Sequence, residues 1–282
     1  MKLLGAVSEG SGKINEDAWG VARDQNGVCA AWVFDGVTGI NERNYLPAAS
    51  DAAWLVEKAN AHLLQLTPLD LTLPEILSEL VTRLVGEWNA VSANLDLPHD
   101  YDLPASCLTL VKRDQSGHWD ALRLGDSFLL AQDHEARVRV IAAPEYDSLE
   151  PKIIESARQL RKSGAVDFKK LLVQFRSELI EQRKTRNTKG GLSILKTDVS
   201  TLEHPTYYRF EKPRHMLLCT DGFYRAVDTY GLYRDETLIS ACLQNVDAVL
   251  GEIRAQEAED PDCQIYIRLK PADDATAVVL TS

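Results

Sequence analysis

Four short acidic clusters close apolar, strand-like stretches of this sequence: Asn15-Glu16-Asp17, Asp35-Gly36, Gly125-Asp126-Ser127 and Asp221-Gly222. A fifth, Asp273-Asp274, immediately precedes the last such stretch. Taken singly, each fits a turn, in which Gly supplies a positive φ and Asp bonds its own backbone. Taken together they suit a different task, because carboxylates just past strand ends can converge at one sheet edge and then repel unless a cation neutralises them. Oxygen donors select hard divalent ions, Mg2+ with octahedral geometry and retained waters, or Mn2+ with the same ligands. The sequence has no His-x-x-x-His and no Cys-x-x-Cys, which disfavours a zinc centre of nitrogen and sulfur ligands. Two hard ions ~3.5–4 Å apart can share one carboxylate and hold a hydroxide aimed in line at phosphorus. Spacing alone leaves the turn reading and the two-ion reading both open.

Gathering residues from both ends of a chain requires a sheet scaffold, and the apolar patterning supplies one. Met1 to Val7, Val28 to Phe34, Ser106 to Lys112, Trp119 to Leu124, Phe128 to Ala131, Val138 to Ala142, Tyr207 to Phe210, Met216 to Thr220 and Thr276 to Leu280 have strand length. Those between 106 and 142 follow one another across short polar turns, the pattern of an antiparallel meander. Two helical stripes stand between the early strands. Ala52, Leu55, Val56, Ala59, Leu63 and Leu66 form the first; Leu77, Leu80, Val81, Leu84, Trp88 and Val91 form the second, opened by Pro74. Helical patterns recur over 152–183, where Phe168, Leu171, Leu172, Phe175 and Leu179 share a face, and over 235–257, as one or two helices. The basic stretch 183–191 ends in Gly190-Gly191 and suits an exposed loop. Strands and helices in this order predict an α+β fold in which helices cover sheets.

Composition narrows the function classes. The 282 residues are 45% hydrophobic and 26% charged, ordinary for a globular chain and enough for one large domain. Thirty-one Lys and Arg against 42 Asp and Glu give a net charge of −11, which argues against nucleic acid as the partner. No window approaches the roughly 18 apolar residues of a membrane span. The apolar start ends at Ser8-Glu9, too soon for a signal peptide. Five scattered cysteines, four of them in or beside apolar runs, suit buried thiols in a reduced, cytoplasmic protein.

The ordered motifs Asn15-Glu16-Asp17-Ala18, Val33-Phe34-Asp35-Gly36-Val37-Thr38-Gly39, Leu124-Gly125-Asp126-Ser127, Leu217-Leu218-Cys219-Thr220-Asp221-Gly222 and Asp273-Asp274-Ala275-Thr276-Ala277-Val278-Val279 resemble the metal-dependent Ser/Thr protein phosphatases of type 2C. Each motif is weak by itself; five in family order, spanning residues 15 to 279, are specific. The resemblance implies a sandwich of two antiparallel β-sheets flanked by helices, with a di-metal site at one end. It also implies a single domain over 1–282 carrying a helical, basic, flap-like insertion at about 147–191. By position, Asp35 resembles the carboxylate shared by two Mn2+ or Mg2+ ions, and the Gly36 carbonyl a ligand of the first. Asp221 and Asp273 resemble the carboxylates on the second ion, and Glu16 and Asp17 the pair that completes the shell. Asp126, with Asp221, resembles the ligands of an additional weaker site, giving two or three ions. Asp274 resembles a partner that orients these ligands. The implied activity is phosphoserine or phosphothreonine hydrolysis in a phosphoprotein by a metal-bridging hydroxide. A cytoplasmic monomer opposing a Ser/Thr kinase is implied with it. The alternatives are a non-catalytic phosphoprotein-binding module of the same fold and a phosphatase for a small metabolite.

Two positions depart from the family pattern. Arg commonly stands three residues before the Asn-Glu-Asp triplet and grips the phosphate in a bidentate way; here Gly12 occupies that position, with Lys13 beside it as a candidate point donor. Val37 stands where many members carry a His proposed as general acid, so no general acid is identified. The basic residues Arg176, Arg183, Lys184, Arg186 and Lys189 have two readings, a solvated face and a grip for an acidic phosphopeptide, with Arg186 the candidate phosphate ligand.

Overall fold

The computed structural model describes residues 1–40, 44–93, 95, 99–143, 149–161 and 173–282. Along the chain run β1 (Lys2–Glu9), β2 (Ala18–Asp24), β3 (Gly27–Gly36), α1 (Asp51–Leu66), α2 (Leu73–Ser92), β4 (Ala105–Arg113), β5 (Trp119–Leu124), β6 (Phe128–Gln132) and β7 (Val138–Ile141). There follow α3 (Glu150–Arg161), α4 (Arg176–Lys184), β8 (Leu195–Lys196), β9 (Thr206–Phe210), β10 (His215–Cys219), α5 (Asp221–Asp228), α6 (Asp235–Glu259) and β11 (Ala275–Thr281).

The strands form two antiparallel sheets. One has the order β1-β11-β10-β6-β7; the other runs β2-β3-β4-β5-β9, with the short β8 paired to β4. Their inner faces meet in a core of Val28, Ala31, Val33, Val111 and Ala121 from one sheet against Leu129, Met216, Leu218, Val278 and Leu280 from the other. α1 and α2 cover the outer face of the second sheet, where Trp32, Phe34, Leu108, Leu110 and Leu122 receive Leu55, Leu63, Leu77, Leu80 and Leu84. α5 and α6 cover the first sheet through Phe223, Leu238, Ile239, Val249 and Ile253. The expected sandwich flanked by helices is the observed fold.

Local sequence explains the helix starts. Ser50 accepts the Ala53 N–H at 3.0 Å, and Thr72 and Glu75 make a reciprocal capping box with Pro74 in the first turn. The apolar stripes point into the core as the periodicity predicts, except that Val91, in the last turn of α2, is exposed. α6 is two helical parts joined at Asn245, whose backbone is extended and whose Oδ1 accepts from the Asp247 and Ala248 N–H groups to start the second part.

Several expectations need correction. The strands between 106 and 142 are not one meander: β4 and β5 belong to one sheet, β6 and β7 to the other. Gly125, at φ +88°, turns the chain from the sheet of β5 to the sheet of β6. β2 escaped the pattern analysis, and Asp221-Gly222 opens α5 rather than a turn. The stretch 183–191 is not a plain exposed loop, since it includes the end of α4 and the buried Asn187. Phe168, Leu171 and Leu172 lie outside the described residues. Phe175 and Leu179 pack with Ile153, Ala157 and Leu269 in a small cluster of their own.

Candidate metal centre

β3 and β4 pair in a register that sets Asp35 directly opposite Cys107 and Gly36 opposite Ser106. Facing residues of an antiparallel pair present their side chains on the same face. β5 ends one step further on, and Gly125 brings Asp126 over Cys107: a Cβ on Gly125 would lie 2.3 Å from the cysteine sulfur. Cys107 Sγ donates to Asp126 Oδ1 at 3.1 Å, and ligand atoms of Asp35, Cys107 and Asp126 all lie within 4.8 Å of one another.

The other carboxylates arrive from the neighbouring segments. Asp17 is buried before β2, and its Oδ2 accepts from Thr220 Oγ1 at 2.9 Å; the same hydroxyl accepts the Thr276 N–H at 3.0 Å. β10 and β11 are thereby tied to the first acidic cluster. Glu16, also buried, accepts from Thr38 Oγ1 through Oε2 at 2.6 Å. Its own N–H donates to Asp274 Oδ2 at 2.8 Å, while Ser11 N–H and Oγ donate to Asp274 Oδ1. Asp274 therefore holds the loop that delivers Glu16 and Asp17. Gly36 passes so close to this loop that a Cβ would sit 2.5 Å from the Glu16 carbonyl oxygen. Asp273 is buried and paired with Arg225 Nη2 at 2.6 Å and with Lys270 Nζ.

The electrostatics match this crowding. Burial, then the Asp221, Asp17, Asp126 and Asp273 carboxylates, push the Asp35 carboxyl well above its ordinary range. Burial, with Asp221 and Asp274 adding to it against the Thr220 hydrogen bond, does the same to Asp17. Asp273 is raised by burial and Asp221, with Lys270 and Arg225 opposing. Burial and the Asp126 and Asp35 charges hold the Cys107 thiol well above its usual value. Such a set is strained by its own charge and relieved by a cation, and its donors, mostly carboxylate oxygens, fit Mg2+ or Mn2+.

Part of this set faces a cleft of about 1370 Å3. Asp35, Gly36, Val37, Cys107, Asp126 and Asp221 line its base; Arg176, Arg183, Arg186, Lys189 and Lys270 line its walls. Arg183 Nη2 donates to the Thr38 carbonyl at 2.7 Å, joining α4 to the segment after β3. Val37 packs on Ala105, Cys107 and Ile194. Lys13 is exposed and is not part of the described lining, whereas Arg186 is. His99 is exposed and His118 half-buried, and the described lining carries no histidine.

Cys107 and Lys270 were not anticipated. The signal for Cys107 lay in strand register, which residue type does not reveal; that for Lys270 lay in its spacing of three before Asp273.

The two-sheet sandwich flanked by helices, with carboxylates lining a cleft, is the fold of the type 2C phosphatases. The sequence matches the family model "Protein phosphatase 2C" over residues 4–257, and the chain belongs to that family. No curated protein sequence gives a significant match. Among solved structures, it is similar to PppA, described as a key regulatory component of T6SS in Pseudomonas aeruginosa, at 17% identity and TM-score 0.53 over 98% of this chain and 95% of that one. It is similar to the catalytic domain of the serine threonine protein phosphatase PstP in complex with two manganese ions, at 14% and 0.54 over 98% and 95%. It is also similar to the Ser-Thr phosphatase MsPP from Mycobacterium smegmatis with cacodylate, at 15% and 0.52 over 100% and 99%. Among the described residues no helix is long and apolar enough to cross a membrane.

Proposed function

We infer that this chain is a metal-dependent phosphomonoesterase acting on phosphoserine and phosphothreonine in proteins. The observation that carries the reading is the convergence on Asp35 of Asp17, Asp126, Asp221 and Asp273 from widely separated segments, with Asp35, Asp126 and Asp221 lining a cleft that also carries basic residues. In this assignment Asp35, the Gly36 carbonyl, Asp221 and Asp273 would hold two Mn2+ or Mg2+ ions. Glu16 and Asp17 would complete the set, and Asp126 with Asp221 would hold an additional ion. When bound, the ions neutralise phosphate oxygens and acidify the attacking water.

The chain's own residues do the rest. Thr220 fixes the Asp17 carboxylate, and Asp274 fixes the backbone that presents Glu16. Lys270 and Arg186 set a positive field at the cleft walls that draws and orients a phosphate. Lys13 keeps a role only if it turns inward from its exposed position. A cleft of this size, open between α4 and the sandwich end, suits a peptide segment better than a small metabolite.

Gly12 and Val37 favour the alternative, a phosphoprotein-binding module without turnover, because they remove a phosphate grip and a proton donor. One experiment separates the two. Asp35→Asn and Asp221→Asn should each abolish phosphate release at saturating Mn2+ while melting no lower than wild type without metal. Turnover near wild type in either variant would overturn the two-ion assignment, and a wild type with no turnover that still binds phosphopeptide would establish the alternative.

A further inference from the structure

Cys107 lies where a hard-ion site has no use for it. Three adjacent strands build its surroundings: register sets it opposite Asp35, and Gly125, lacking a Cβ, lets Asp126 close over it. Cys107 is buried but belongs to the cleft lining, with Val37 and Ile194 packed around it. The three ligand atoms lie within 4.8 Å, and the sulfur stands 3.1 Å from Asp126 Oδ1. Tetrahedral zinc with Zn–S and Zn–O bonds of about 2.3 and 2.1 Å separates its ligand atoms by roughly 3.5 Å, so small side-chain movements reach that geometry.

We propose that Cys107 is a metal ligand, and that with Asp35 and Asp126 it forms a three-ligand pocket selecting a borderline-soft divalent ion, Zn2+ over Mn2+ or Mg2+. The proposal rests on the two-ion reading of Asp35 and Asp126 and adds a sulfur donor to it. Thiolate is a soft ligand that zinc accepts and magnesium does not. On binding, the thiol proton leaves to solvent and the S–metal bond replaces the hydrogen bond to Asp126. Two carboxylates and one thiolate leave a fourth position open toward the cleft, the arrangement of zinc sites that admit water or substrate. All five cysteines are buried, but the other four are absent from the described cleft lining, so a sulfur signal from the folded protein belongs to Cys107.

The test uses Co2+ as a spectroscopic stand-in for zinc on the metal-free full chain, with Mn2+ binding measured in parallel. The wild type should show a near-ultraviolet thiolate-to-cobalt charge-transfer band that is lost in Cys107→Ser and Cys107→Thr. Both variants retain a hydroxyl to bond Asp126, and their Mn2+ binding reports an intact site. Their Zn2+ affinity should fall at least about tenfold, the low end of what even outer-shell partners cost. A wild type that binds Co2+ without the band, or a Cys107→Ser variant with unchanged Zn2+ affinity, overturns the sulfur ligand alone. A wild type that binds neither Mn2+ nor Co2+ overturns the two-ion reading and this proposal with it.

Discussion

Asp35 sits at the end of β3 with four other carboxylates raising its proton affinity beyond what burial alone produces. The sign of the consequence is definite. A carboxyl whose folded-state pKa is raised binds more protons in the native than in the unfolded chain, so stability is greatest below the ordinary carboxylate value and falls as pH rises through the raised one. Metal-free protein should therefore lose thermal stability as pH climbs from about 4 upward, and Asp35→Asn should shrink that slope. Melting curves in chelator across this range test it; a variant slope equal to or steeper than wild type would contradict the mutual-repulsion account. Val37 carries a second expectation. Protonation of a leaving alkoxide by a positioned group is typically worth about 10²–10⁴-fold, and aryl phosphates need it far less. With no histidine in the described lining, turnover should favour aryl over phosphoserine substrates steeply, and Val37→His should help phosphoserine more. Equal gains on both substrates, or a loss on phosphoserine, would remove Val37 from the general-acid position. The carboxylates were legible because a strand end marks where such a side chain emerges. Cys107 was not, since its neighbours depend on which residue faces it across β3 and β4.

The segment between α6 and β11 shows how an element delivers a ligand. Asp260 is buried at the end of α6; its carboxylate accepts from Arg268 Nη1 at 2.6 Å and from the Tyr266 and Ile265 N–H groups at 2.9 and 3.0 Å. Arg268 Nη2 returns a bond to the Asp260 carbonyl at 2.7 Å. This knot fixes the path to Lys270 and Asp273. Removing one partner of a buried ion pair costs about 3–5 kcal/mol, so Asp260→Ala should lower unfolding free energy by that order and weaken Mn2+ binding through Asp273. Burial opposes the charge on Asp260, but the backbone N–H groups and Arg268 outweigh it and bring the carboxyl down to about 2. A depressed pKa contributes stability above the unfolded value, so this share is lost as pH falls from about 4 to 2. Denaturant curves of both proteins at neutral pH and near pH 3 measure it; a cost under 1 kcal/mol at neutral pH would contradict a structural role for the knot. Helix stripes were readable because they are local. The sheet change at Gly125 was not, because turn residues state that the chain bends and not which strand it then joins.

At the scale of the molecule, the fold assembles negative charge from both ends of the chain at one site. The five motifs made the family legible, since their order survives where overall identity to solved structures is only 11–17%. The layer packing came from tertiary pairing that no window contains. Ion binding to the native state alone should stabilise it by about 2.7 kcal/mol at a hundredfold excess over Kd, visible as a higher Tm with Mn2+ and absent in Asp221→Asn. An equal Tm rise in that variant would place the stabilising ion elsewhere. The central claim is that this cleft hydrolyses protein phosphomonoesters with bound divalent ions. Phosphate release from a panel of phosphoserine and phosphothreonine peptides, with Mn2+ and with chelator, tests it most directly. The account predicts release that appears with Mn2+ and vanishes in chelator; no release with any added divalent ion, or release undiminished in chelator, would contradict it.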